Sequence, residues 1–119
     1  MARATLVTML ELEQDQPMPL ITRRSVIGER MMVSEVVLSP GFEIPVHQHD
    51  NEQIVMMLRG LAEFDLIEDG VQRTVEVRGG QTLVLPGNIP HGCRAIEECV
   101  ILDLFSPASK RTGVDNAGR

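Results

Sequence analysis

Tryptophan and tyrosine are absent from this chain and phenylalanine occurs three times, so a core has to be built from Val, Ile, Leu and the seven Met. Cysteine is almost missing as well: Cys93 and Cys99 are too few for a disulfide framework and read as two reduced thiols. No apolar stretch approaches the roughly 18–20 residues of a membrane-spanning helix. The N-terminal residues lack the long apolar region and small-residue cleavage site of a secretory signal. These absences predict a soluble, cytoplasmic protein with no membrane partner. Cations are in deficit, 11 Lys and Arg against 17 Asp and Glu, for a net charge of −6. That balance excludes nucleic acid as a partner, because phosphate binding needs a basic stripe. The pairs Arg23-Arg24 and Lys110-Arg111 are too short to supply one, and no segment reads as a helix-turn-helix.

What is present points to β structure. From Leu20 onward, short apolar runs at 21–27, 31–38, 53–59, 61–67, 71–77, 82–85, 91–95 and 99–105 alternate with Gly, Pro, Asp and Asn turn signals. Eight or so strands at such spacing predict an all-β sandwich or barrel over residues 20–106. Residues 1–19 read as an arm and 107–119 as a flexible tail rich in Gly, Ser and charge. Asp69-Gly70 is the strongest hairpin signal, since both residues tolerate the positive φ of a type I′ turn. The Met pairs Met31-Met32 and Met56-Met57 read as core filler.

All three histidines fall where they can act together. On a strand the His47-Gln48-His49 pattern projects both imidazoles to one side, Gln53 follows four residues later, and His91 arrives from another strand. Three imidazole nitrogens and an amide oxygen can hold one face of a divalent ion and leave positions open for water or substrate. Glu52 competes with Gln53 as the fourth ligand: a carboxylate is the better donor, but on a strand it points to the opposite face. Asp103 interrupts an apolar run, 100–105, and shares a face with Phe105, Ile101 and Cys99. A carboxylate there is either hydrogen-bonded to backbone at a barrel end or facing the metal as a general acid and base.

The spacing Gly41, five residues, His47-Gln48-His49, three residues, Gln53, six residues, Gly60 resembles the first motif of the cupins. Gly80, five residues, Pro86-Gly87-Asn88-Ile89-Pro90-His91 resembles the second. Gln53 stands where Glu is usual, favoured over Glu52 by its distance to Gly60. Asn88 stands where Gly is usual and tolerates the same left-handed backbone. The resemblance implies a double-stranded β-helix, or jelly-roll barrel, that binds one divalent transition metal ion (Ni, Mn, Fe, Zn or Cu) through His47, His49, Gln53 and His91. It also implies a homodimer, consistent with an apolar edge strand near residues 20–27 that would otherwise stand exposed.

A narrower resemblance rests on Arg24-Ser25-Val26-Ile27-Gly28, on Gln53-Ile54, and on the run from Ile101 through Asp103 and Phe105 to Ser106-Pro107. Over about residues 20–107 the chain is similar to the KdgF family of ketouronate isomerases. That similarity implies a catalytic role for Asp103 and substrate contacts from Phe105 and Arg24. The family carries an Arg soon after its Ser-Pro; here the position is Ser109, with Lys110 and Arg111 following. The expected activity is metal-dependent isomerisation of a small unsaturated uronate or related sugar acid. The alternatives are a metal-dependent dioxygenase and a non-catalytic cupin that binds a metal or small ligand.

Overall fold

The structure is a computed structural model that describes residues 3–108. Nine strands follow a 3-10 turn at Met9–Glu11: β1 (Ile21–Ile27), β2 (Met32–Leu38), β3 (Glu43–His47), β4 (Glu52–Arg59), β5 (Leu61–Glu68), β6 (Val71–Arg78), β7 (Thr82–Leu85), β8 (His91–Ala95) and β9 (Cys99–Ser106). They form a five-stranded sheet ordered β1-β2-β9-β4-β7 and a four-stranded sheet ordered β3-β8-β5-β6. Every ladder is antiparallel. The two sheets enclose one core as a jelly-roll barrel, the expected all-β fold. Among the described residues no helix is long and apolar enough to cross a membrane.

Period-two burial explains how so few aromatics suffice. Along β2 the inward residues Met32, Ser34, Val36 and Leu38 are buried and their neighbours are not, and β5 buries Ala62, Phe64 and Leu66 in the same way. All three phenylalanines, Phe42, Phe64 and Phe105, are buried. The Met pairs split by the same alternation: Met32 and Met57 are buried while Met31 and Met56 stand exposed.

All eight expected runs match strands to within a residue at each end. The Asp69-Gly70 hairpin closes with both residues at positive φ, 51° and 76°. The strand missing from the sequence reading is β3. It contains Pro45, which cannot donate to a ladder, and it is tolerated because β3 lies at the edge of its sheet and bonds on one side only. The arm expected over 1–19 is tied to the barrel: Asp15 and Arg23 exchange backbone hydrogen bonds of 2.9 and 3.0 Å. Most of the expected tail, including Ser109, Lys110 and Arg111, lies outside the described residues.

Candidate metal centre

The three histidines reach one place from three backbone segments. His47 is the last residue of β3, His91 the first of β8, and the two are paired across the sheet. His49 lies in the loop beyond β3, not on a strand, so strand alternation does not explain its direction. Two long-range contacts aim it. The Asn88 N–H donates to the His49 carbonyl at 2.7 Å, with Asn88 in the left-handed region at φ 65°. The buried Asn51 donates through Nδ2 to the Pro107 carbonyl at 2.6 Å, tying the loop to the end of β9. The second motif thus holds the histidine loop of the first.

One donor atom from each of His47, His49 and His91 lies within 4.8 Å of the others. Their Nδ1 atoms face backbone carbonyls: His47 to Pro45 at 2.9 Å, His91 to Ile89 at 2.9 Å and His49 to Asn51 at 3.1 Å. A carbonyl can only accept, so each ring carries its proton on Nδ1 and keeps a lone pair on Nε2. The Nε2 of His49 is buried with no hydrogen-bond partner, a cost that an electron-pair acceptor at the centre of the cluster would remove. Burial lowers the His47 pKa, countered by the Pro45 carbonyl; it lowers that of His91 more, to about 4, countered by the Ile89 carbonyl. Neutral imidazoles with oriented lone pairs are what a divalent metal requires, and these residues fit one.

Beside this cluster an open-mouthed cavity runs between the sheets. His47, Gln53, His91, Asp103 and Phe105 all line it. Gln53 is buried and Glu52 is exposed, which is the alternation expected of neighbours on β4. Gln53 Nε2 donates to Asp103 Oδ1 at 3.0 Å, leaving Oε1 as the lone-pair atom of that side chain. The contact is diagonal across the β4–β9 ladder, where Gln53 faces Phe105 and Val55 faces Asp103. Burial raises the Asp103 pKa to about 6, against the opposing pull of the Gln53 amide, so both protonation states are accessible near neutral pH. Phe105 packs near His49, with ring centroids 5.9 Å apart. Cys93 also lines the cavity, but burial, followed by the nearby Asp103 charge, raises its pKa and keeps the thiol protonated.

The structure does not bring Arg24 into this group. Its Nε donates to the Leu12 carbonyl at 3.1 Å and its Nη1 pairs with Glu35 at 3.1 Å. Arg23 lines the cavity instead. Counting by twos from the buried Ile21 would have found it, since residues 21, 23 and 25 share one face of β1. Ser34 is a second cavity residue that the sequence reading passed over; it is buried, and its Oγ lies 2.7 Å from that of Ser25.

The model of the family described as "Cupin domain" matches residues 34–105, a span that holds all three histidines, Gln53, Asp103 and Phe105. The chain belongs to the cupin family. Among solved structures this cupin is similar to KdgF from Halomonas sp., at 26% identity and TM-score 0.79 over 91% of this chain and 97% of that one. An RmlC-like cupin from Shewanella frigidimarina is 20% identical, with TM-score 0.77 over 91% and 95%. Lactobacillus farciminis oxalate decarboxylase is 18% identical, with TM-score 0.77 over 91% of this chain and 36% of that one. The last two likenesses establish the fold alone. No curated protein matches the chain at a significant level.

Proposed function

We propose that this cupin is a metal-dependent isomerase of a small unsaturated uronate or related sugar acid. The observation that carries this reading is the Asp103 carboxyl, held by Gln53 in the same cavity that His47 and His91 line. The similarity to KdgF over nearly the whole described chain supports it.

The Nε2 atoms of His47, His49 and His91 and Oε1 of Gln53 would hold the ion. A bound divalent metal supplies a Lewis acid that polarises a hydroxyl or carbonyl, undiminished here because all four ligands are neutral. Asp103 takes the proton of a sugar hydroxyl on a carboxylate oxygen as the ring opens. It then returns a proton to carbon as the enol becomes the ketone. The exchange is internal, with no net gain or loss of protons or electrons. Phe105 and Ile101, on the same face of β9 as Asp103, form an apolar wall that seats the sugar and keeps water from the carboxyl. Buried, unpaired Cys93 and Cys99 suit a cytoplasmic setting. The reading includes a homodimer, supported by β1 forming one edge of the five-stranded sheet; a monomeric mass by light scattering at micromolar concentration would count against that part.

The test is an assay on unsaturated uronates that follows loss of absorbance from the conjugated double bond. Asp103→Asn is expected to keep its metal and lose about 10²–10⁴-fold in rate, because an amide cannot accept and return a proton. Absence of turnover in the metal-loaded wild type would refute the substrate class. Undiminished turnover in Asp103→Asn would refute the assigned base.

A further inference from the structure

We propose that Arg23 is the carboxylate-recognising residue of the cavity, and that Asp15 holds its guanidinium as an exchangeable stand-in for a ligand's carboxylate. This deepens the proposed function, since it rests on the ligand being an acid, and it assigns the atom group that reads the acid.

Arg23 is the one permanently cationic side chain among the described residues lining the cavity, which it shares with His47, Gln53, His91 and Asp103. Its side chain is only 17% exposed. Asp15 grips it in a forked arrangement: Nε donates to Oδ1 at 2.9 Å and to Oδ2 at 3.1 Å, and Nη2 donates to Oδ2 at 3.0 Å. That planar, two-nitrogen geometry is how a guanidinium reads any carboxylate. The Asp15 side chain is 57% exposed, so water competes for its carboxylate. A carboxylate arriving through the cavity meets the same guanidinium in less water and can exchange with Asp15. The backbone bonds between Asp15 and Arg23 keep the segment in place while its side chain swings away. A ligand is then read at two points, by its carboxylate at Arg23 and by its hydroxyl or carbonyl groups at the histidine cluster. A neutral sugar of the same shape meets only the second.

The test compares D-galacturonate with D-galactose, which differ in carboxylate against hydroxymethyl, by calorimetric titration of the metal-loaded protein. The wild type is expected to prefer galacturonate by on the order of 10–100-fold, as befits a hydrogen-bonded charge pair. Arg23→Gln should abolish that preference without weakening galactose, and Arg23→Lys should retain part of it. Arg59→Gln removes an exposed charge paired with Glu98 and should leave the preference intact, separating recognition from net charge. Asp15→Asn removes one resident competitor and should tighten galacturonate several-fold. A preference that survives in Arg23→Gln, or galacturonate binding that weakens in Asp15→Asn, overturns the proposal. These outcomes are independent of turnover. Lack of isomerisation with an Arg23-dependent preference would sink the isomerase reading alone, and turnover with a preference indifferent to Arg23 would sink this one alone.

Discussion

Replacing Gly92 with alanine tests whether the metal centre depends on how closely β3 lies against β8. A Cβ at Gly92 would stand 2.9 Å from the Ile44 carbonyl oxygen, 3.0 Å from the Val46 nitrogen and 3.2 Å from the Pro45 carbonyl carbon. The shortest of these is roughly half an ångström inside the ~3.5 Å at which non-bonded atoms rest. All three neighbours are backbone atoms, so no side chain can rotate aside. The strand that yields is β3: it bonds on one side only and its register with β8 shifts between Ile44 and His47, whereas β8 is clamped by β5 as well. Moving β3 outward carries His47 from His91, whose ring centroids are 4.5 Å apart. Metal–ligand distances tolerate only about 0.2 Å of error, so the displacement exceeds what the site absorbs. We expect metal affinity to fall on the order of 10–100-fold, as when groups that orient metal ligands are removed. The metal-free barrel should lose about 1–3 kcal/mol, as for other overpacked interiors. Chelator competition reads the first quantity and thermal melting of metal-free protein the second. Gly70→Ala is the control: its φ of +76° makes alanine strained, but nothing lies within 4 Å of its Cβ. That variant should lose about 1–2 kcal/mol of stability and no metal affinity. Unchanged metal affinity in Gly92→Ala would refute the link between strand spacing and the histidine cluster.

Three further outcomes follow from the same geometry. His91→Ala should lose most bound metal by elemental analysis while keeping its β-sheet circular dichroism, since ladders and apolar burial hold the barrel; an unfolded variant would show that the core needs the imidazole. Gln53→Glu should tighten metal binding by about tenfold or more through the added charge, whereas Glu52→Ala should change nothing, and loss of metal in the latter would transfer the ligand role to Glu52. Asp65 supplies a pH test away from the site. Hydrogen bonds from Arg94, at 2.6 and 3.1 Å, and from Thr74, at 2.7 Å, hold its pKa down at about 2. A carboxyl depressed on folding stabilises fully above its unfolded value near 4 and loses that contribution as pH falls towards about 2. The melting difference between wild type and Asp65→Asn should therefore be flat above about pH 5 and vanish near pH 2; a difference independent of pH would show that the ion pair does not stabilise the fold.

The sequence by itself determined most of the strands and the set of candidate ligands. Alternation is a local property, so eight of the nine strands between Ile21 and Ser106 could be read within a residue or so, β3 with its Pro45 being the exception, and the turn at Asp69-Gly70 announced itself through residues that tolerate positive φ. Motif spacing singled out His47, His49, Gln53 and His91, and a charge inside an apolar run singled out Asp103. Tertiary structure decided what those residues do to one another. Only the β4–β9 register, joining residues 50 positions apart, puts the Gln53 amide on the Asp103 carboxyl. Only the sheet order makes β3 an edge where Pro45 is harmless, and only the second-motif loop and the Asn51 bridge aim His49 from outside a strand. The resemblance pointed to Arg24 for substrate contact, and only the packing of Ile21 decided that the face of β1 looking into the cavity carries Arg23 instead. Local preference specifies the period of a strand, but its phase and partners depend on contacts between distant segments, which no short window of sequence contains.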